Sequence, residues 1–343
     1  MRAMILAAGY GTRLWPLTID RTKPAIPVLG RPLVGYVAEY LARYGYTDVA
    51  VNLHHQPESV REALGDGSRF GVNLHYVYEP VILGTSGALD NARSLLEEST
   101  FVVVNGKIVT DINLTEALET HRRTNALATL VLQPNPARER FSIIKTHEGL
   151  ITGVGGMPTQ ASDNAGDDYS SGDNSANDET LAGDVPLMFT GIHILEPRIF
   201  DYIPRGVFSD TVMDVYLPAI AKGERIAAHV AGGMWYELST IPRYLEINLA
   251  LMAAGGRDVE LGENSYVSAE ADVRQSILWD DVTVEAGARV RRAILGDGVR
   301  VRAGEIIEDA AVVRAELVRG QTPPPKALKG SISGDNFVVP LPR

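Results

Sequence analysis

Apolar positions along the chain switch repeatedly between two spacings. Ala3-Met4-Ile5-Leu6-Ala7 is a continuous apolar run, short enough to read as a buried strand. Over residues 32–44 the apolar positions Leu33, Val37, Tyr40 and Leu41 fall at helical spacing, and Gly45 ends the segment. The alternation continues with strands at 48–53, 72–78, 101–104 and 126–132 and helices over 57–64, 84–98 and 114–124. Helices over 209–223 and 240–254 complete a first domain, and Gly255-Gly256 marks its boundary at residues 1–256. Strands alternating with helices imply an α/β fold with a Rossmann-like, mixed but mainly parallel sheet. Ligands of such sheets gather at the carboxyl ends of the strands. Gly9-Tyr10-Gly11-Thr12-Arg13 follows the first strand and falls there.

Beyond the double glycine the pattern becomes a repeat. Val267, Val284 and Val301 are seventeen residues apart, as are Val273, Val290 and Ile307, and Ile277-Leu278 recurs as Ile294-Leu295. Asp280 and Asp297 follow each pair at the same offset. Apolar residues about six apart between Gly, Ala and Asp turns predict a short left-handed parallel β-helix of hexapeptide-type repeats over 262–315. All seven histidines lie at or before His229, so no imidazole base is present for an acyltransferase site in the β-helix. Residues 319–343, with Pro323-Pro324-Pro325, read as an extended tail.

Charge narrows the partners. The formal charge is −11, which argues against nucleic acid and against an anionic membrane surface. Residues 159–184 hold seven carboxylates and no cation, so that segment supplies −7 and leaves −4 for the rest. Too poor in large apolar residues to bury a core, it is expected to be an acidic flexible insertion. The chain has no cysteine, hence neither disulfides nor thiolate metal sites. Gly9 and Gly11 interrupt the first apolar run early, against a signal peptide, and a cytoplasmic location is expected.

The loop after the first strand carries candidate chemistry. Small residues let the backbone approach a ligand, and successive N–H groups can face phosphate oxygens. Arg13 adds a cationic fork and Lys23 a mobile point charge. The plainer alternative is a tight turn flanked by surface cations. A dinucleotide fingerprint would need glycine where Leu14 stands, and the Gly-Lys-Ser/Thr of a P-loop is absent. What the chain has instead is Gly-x-Gly-Thr-Arg-Leu-x-Pro-Leu-Thr, then Lys23-Pro24, then Pro27-Val28. This resembles the signature of the sugar-1-phosphate nucleotidylyltransferases, and within them most the mannose-1-phosphate guanylyltransferase type.

The resemblance covers residues 1 to about 315 and implies a site. Leu6, Ala8, Gly9, Tyr10, Gly11, Thr12 and Arg13 would contact the nucleotide, and Arg13 and Lys23 would be catalytic through charge neutralisation. Glu79 and Gly84 stand where the family reads and packs the base. A carboxylate can accept from two donors on guanine, so Glu79 favours GTP; the alternative is a solvated strand-end residue. Asn105 and Lys107 complete the nucleotide contacts, while Phe141, Ser142, Thr190, Gly191 and Glu237 would line the sugar pocket.

The chain also departs from the family. Val104-Asn105-Gly106-Lys107 places an ammonium where the family has a magnesium-binding aspartate. Met157 stands for a phosphate-contacting lysine, Phe141-Ser142 for a Tyr-Gly, and Trp235-Tyr236-Glu237 for a segment carrying a second metal-binding aspartate. Glu237 and Asp111 remain as weak candidate metal ligands, so magnesium is expected from the family and doubtful here. Lys107 either turns to solvent, pairs with Asp111, or replaces part of the magnesium charge. The resemblance implies transfer of a nucleoside monophosphate from a triphosphate to a sugar 1-phosphate, releasing pyrophosphate. The competing expectation is an impaired nucleotide-sugar-binding or regulatory subunit. A homo-oligomer, or a hetero-oligomer with an active paralogue, is expected in either case.

Overall fold

The computed structural model describes residues 2–139, 141–155 and 185–342. Met157 and the acidic segment 159–184 lie outside the described residues. The first apolar run forms β1 (Arg2–Leu6), flanked by β2 (Asp48–Leu53) and β4 (Phe101–Asn105), with β3 (Asn73–Tyr78) outside β2. All three pairings are parallel, and the apolar runs are buried because helices cover both faces. The other half of the sheet holds β6 (Ala128–Pro134), β7 (Ile143–His147), β8 (Leu150–Val154), β9 (Leu187–Leu195) and β10 (Ile226–Val230). The order across nine strands is β3-β2-β1-β4-β9-β6-β10-β8-β7. In this half only β6–β10 is parallel; the return strand β9 runs antiparallel to both β4 and β6.

Helix α1 (Leu33–Arg43) buries Leu33, Val37, Tyr40 and Leu41, the residues its spacing selects, together with Val34. The helix expected over 84–98 is divided into α2 (Gly84–Asn91) and a single turn at Arg93–Leu96. The segment after Ser209 opens as a π-helical turn, Thr211–Tyr216, before Leu217–Ala221. Asp210 caps it by accepting from the Val212 and Met213 amides, and Pro218 has no N–H to continue a regular ladder. A separate two-stranded ribbon, β5 (Ile108–Thr110) with β11 (Trp235–Glu237), stands beside the end of β4.

The second domain pairs at a seventeen-residue step. Val267 is aligned with Val284 and Val284 with Val301; Val273 with Val290 and Val290 with Ile307; Ile277-Leu278 with Ile294-Leu295. Gln275, Arg292 and Asp309 all take left-handed backbone angles, so one corner recurs at the same step. The aspartates serve the turns: Asp280 Oδ1 accepts from the Glu263 amide, and Asp297 Oδ1 from the Asp280 amide. Coiling starts before residue 262, since Val259–Leu261 already pairs with Ser276–Leu278.

Residues 319–343 are not simply an extended tail. Ser331–Ser333 and Asn336–Pro340 form a hairpin whose second strand pairs antiparallel with the last long β-helix strand, Ile306–Arg314. Phe337, Val339 and Leu341 drive this by burying in one cluster with Leu14, Trp15, Ile26, Tyr244 and Trp279. The β-helix and the tail therefore pack directly on the loop that carries Arg13 and Lys23.

Candidate active site

The loop after β1 is shaped by one glycine and held by one network. Gly11 takes φ 66°, and a Cβ there would lie 3.1 Å from the Cβ of Lys23, so the lysine stem packs against the turn. Arg13 is exposed on the short turn Thr12–Leu14, and Lys23 is half-buried. At the ends of β1 to β3, the Ala7 amide donates to Asn52 Oδ1 at 2.7 Å, and Asn52 Nδ2 donates to Glu79 Oε1 at 2.7 Å. The Leu83 amide donates to Glu79 Oε2 at 2.9 Å. Glu79 is 0% exposed, and burial raises its carboxyl above the usual range while its two donors oppose that rise.

This corrects the role expected of Glu79. Both carboxylate oxygens are committed inward, tying three strand ends to the start of α2, so the side chain does not offer a free edge to guanine. Gly84 (φ 76°) is required on a different ground: a Cβ there would lie 2.5 Å from the Ser209 carbonyl. Asn52 and His54 were not singled out in the sequence, although a lone polar residue inside the strand Asp48–Leu53 was a visible signal. His54 Nε2 lies 3.1 Å from the Tyr10 hydroxyl, and its Nδ1 is 2.8 Å from the Glu79 carbonyl, so it steadies the exposed Tyr10 ring.

At the end of β4, the Gly106 amide donates to the Leu6 carbonyl at 2.9 Å, and a Cβ at Gly106 would meet that same oxygen. Close approach to β1 sets the position of Lys107. Its ammonium lies 2.5 Å from Glu237 Oε1, and the Leu238 amide donates to the Lys107 carbonyl at 2.9 Å. Lys107 thus pairs with Glu237, not with Asp111 or solvent alone. Burial first, then the Lys107 and Arg13 charges, bring the Lys23 ammonium from its ordinary 10.5 down to about 7, with Glu237 acting in the opposite sense. Lys23, Lys107, Glu237 and Arg13 therefore share one electrostatic neighbourhood.

Asp111 does not belong to it. Along the β5–β11 ribbon Glu237 faces Ile108, whereas Asp111 Oδ1 accepts from the Met234 amide at 2.6 Å. Three residues of strand put that contact roughly 10 Å from Glu237. Two sugar-pocket expectations change as well. The Thr190 hydroxyl is buried and donates to the Val131 carbonyl at 2.7 Å, while the Thr190 carbonyl accepts from Trp235 Nε1 at 2.9 Å, so this residue is structural. Phe141 stacks edge-on against Trp235 with ring centres 5.5 Å apart. Gly191 (φ 81°) makes room for Asn105, whose Nδ2 would lie 2.2 Å from a Cβ at that position. Ser142 is exposed.

A sheet with this crossover pattern and a cation-bearing glycine loop at its carboxyl ends offers a site for a phosphate-bearing ligand, beside an appended parallel β-helix. Comparison with known proteins agrees. The nucleotidyl transferase family profile matches residues 2–254, and that of the GlmU-like C-terminal hexapeptide matches residues 253–315. The chain belongs to the nucleotidyl transferase family. It is 34% identical over 251 residues to an N-acetylmuramate alpha-1-phosphate uridylyltransferase of Neisseria meningitidis, covering 72% of this chain and 96% of that one. It is 28% identical over 296 residues to a UTP–glucose-1-phosphate uridylyltransferase of Synechocystis, covering 83% and 72%. A mannose-1-phosphate guanylyltransferase of Mycobacterium tuberculosis is 27% identical over 239 residues, covering 69% and 61%. A Bacillus anthracis structure described as a glucose-1-phosphate thymidylyltransferase shares the fold, with a TM-score of 0.59 at 21% identity over 77% of this chain and 98% of that one. No helix among the described residues is long and apolar enough to cross a membrane.

Magnesium, which the resemblance implies, would meet few carboxylates at the mouth of this sheet. Such an ion is commonly held by one or two carboxylates together with substrate phosphates and water. Glu237 has its Oε1 against an ammonium, Asp111 is remote, and no group of three His, Cys, Asp or Glu able to hold a metal occurs among the described residues. A cleft of about 470 Å³ on the β-helix, lined by Arg274, Arg291 and Arg292, is no substitute phosphate site, because these arginines pair with Asp272 and Asp309.

Proposed function

We propose that the protein is a sugar-1-phosphate nucleotidylyltransferase that joins a nucleoside triphosphate to a sugar 1-phosphate. A sugar-phosphate oxygen attacks the α-phosphorus as the bond from that phosphorus to the bridging oxygen breaks, releasing pyrophosphate. Most of the rate comes from positioning and charge neutralisation. The observation that carries the reading is the clustering of Arg13, Lys23 and Lys107 around the glycine loop at the ends of β1 and β4. Gly9, Tyr10 and Gly11 amides would receive the triphosphate with Leu6, Ala8 and Thr12 beside them. Lys23 would meet charge developing at the phosphorus, Asn105 and Lys107 would complete the nucleotide contacts, and Ser142 and Gly191 would border the sugar.

The expectation of GTP depends on a free Glu79 carboxylate; with that group committed inward, base selection rests on other groups, and relatives named for UTP and for guanylyl transfer both argue for an open panel. A second reading, a nucleotide-sugar-binding subunit with impaired turnover, is favoured by the Lys107–Glu237 pair alone. A homo-oligomer is proposed for either. Pyrophosphate release should be followed with GTP, UTP and dTTP against glucose, mannose and N-acetylmuramate 1-phosphates. Release dependent on both substrates supports the transferase; binding with no release in any combination supports the subunit.

A further inference from the structure

Among the described cations at the mouth of the sheet, Lys107 is the one fastened by an ion pair to Glu237. Its turn is fixed on one side by the Gly106 amide on the Leu6 carbonyl and on the other by the Leu238 amide on its own carbonyl. Its ammonium is 2.5 Å from Glu237 Oε1, and Glu237 is only 11% exposed. The lysine side chain remains 34% exposed, so the site is open to a ligand. An ammonium has three donors, and the contact with Glu237 uses one. With Glu237 neutralised, Arg13 and Lys23 leave the neighbourhood cationic, which suits polyphosphate.

We propose that Lys107 is a resident cation of the phosphate site, oriented by Glu237, so that nucleotide phosphates bind here without a divalent ion. This rests on the nucleotide-site reading given under Proposed function. A magnesium ion taking Glu237 Oε1 as ligand would have to displace the ammonium, and one on Oε2 would stand beside that positive charge. A bound lysine also keeps its charge in place whatever the metal concentration, whereas an aspartate in the same turn would repel phosphate until an ion arrived.

Calorimetric titration of the whole protein with UDP and with GDP, in EDTA and in magnesium, tests this. At least one of the two is expected to bind in EDTA within about threefold of its affinity in magnesium. Lys107→Met should weaken that binding by about tenfold or more in both buffers, and Lys107→Arg should largely preserve it. Lys107→Asp should bind poorly in EDTA and recover on adding magnesium. If the loss of its partner leaves Glu237 buried and unfolds the Met variant, Lys107→Met with Glu237→Gln carries the same test. Binding by the native protein that requires magnesium overturns the inference alone, as does a Lys107→Met variant that binds like the native protein. No binding of either nucleotide in any buffer overturns the nucleotide-site reading and the inference with it.

Discussion

Lys107 Nζ lies 2.5 Å from Glu237 Oε1, joining two turns 130 residues apart at the open end of the sheet. The first turn follows β4 and the second ends β11, and the β5–β11 ribbon between them keeps the two in register. An ion pair this size contributes little when fully exposed. Here its main effect is on position, since it fixes a charge beside Lys23 and the glycine loop.

Lys23 gives the clearest pH dependence. Its folded pKa, about 7, lies below the ordinary 10.5. Between these values the unfolded chain binds more protons, so stability should rise with pH through that window, and below about pH 7 the penalty is fully present. Phosphate bound nearby favours the charged form, so binding near pH 8 should take up protons and binding near pH 6 should not. Titration in buffers of different ionisation enthalpy measures this; buffer-independent heats near pH 8 would count against it.

Glu79 should behave as a structural tie. Glu79→Ala leaves the Asn52 amide and the Leu83 N–H without acceptors in a buried place, at a cost of about 2–4 kcal/mol in urea unfolding. The milder Glu79→Gln should leave the ranking of GTP, UTP and dTTP binding unchanged. A changed ranking would return the side chain to base recognition.

Thr190→Val separates packing from sugar binding in the same way. Loss of the hydroxyl bond to the Val131 carbonyl should lower stability by about 1 kcal/mol. The KM for sugar 1-phosphate should not move, and a KM raised severalfold with stability intact would show that the hydroxyl reaches the sugar.

The β-helix should support the phosphate loop as well as itself. Arg21 bonds Asp297 and stacks over Trp279, whose Nε1 donates to the Tyr244 hydroxyl at 2.9 Å; that hydroxyl donates to the Pro27 carbonyl at 2.6 Å. Trp279→Ala should cost about 3–5 kcal/mol in thermal or urea unfolding. It should also speed hydrogen exchange over residues 13–27, and exchange unchanged there would uncouple the β-helix from the loop. A protein cut at residue 262 would likewise expose Leu14, Trp15 and Ile26.

Regularity decided what could be read from the sequence. The seventeen-residue step survives because each rung meets the next through the same side chains, so Val267, Val284 and Val301 announce their own contacts. Strands such as Asp48–Leu53 and helices such as Leu33–Arg43 carried their periods within a few residues. The site depended on directions that a linear pattern does not contain. Glu79 has the expected place at a strand end, but Asn52, from a neighbouring strand, and the Leu83 amide turn its carboxylate inward. Lys107 and Glu237 were each visible as departures, yet their meeting needs the ribbon. The tail was masked by its prolines, although the run from Asn336 to Pro340 carries the apolar residues that dock it.

The most direct measurement is a diffraction structure of the protein crystallised with its tightest nucleotide in the presence of magnesium. Phosphate oxygens are expected within hydrogen-bond reach of the Gly9 to Gly11 amides, Lys23 and Lys107, with Lys107 still on Glu237. Phosphates lodged elsewhere, or a magnesium ion on Glu237 with Lys107 swung away, would contradict that expectation.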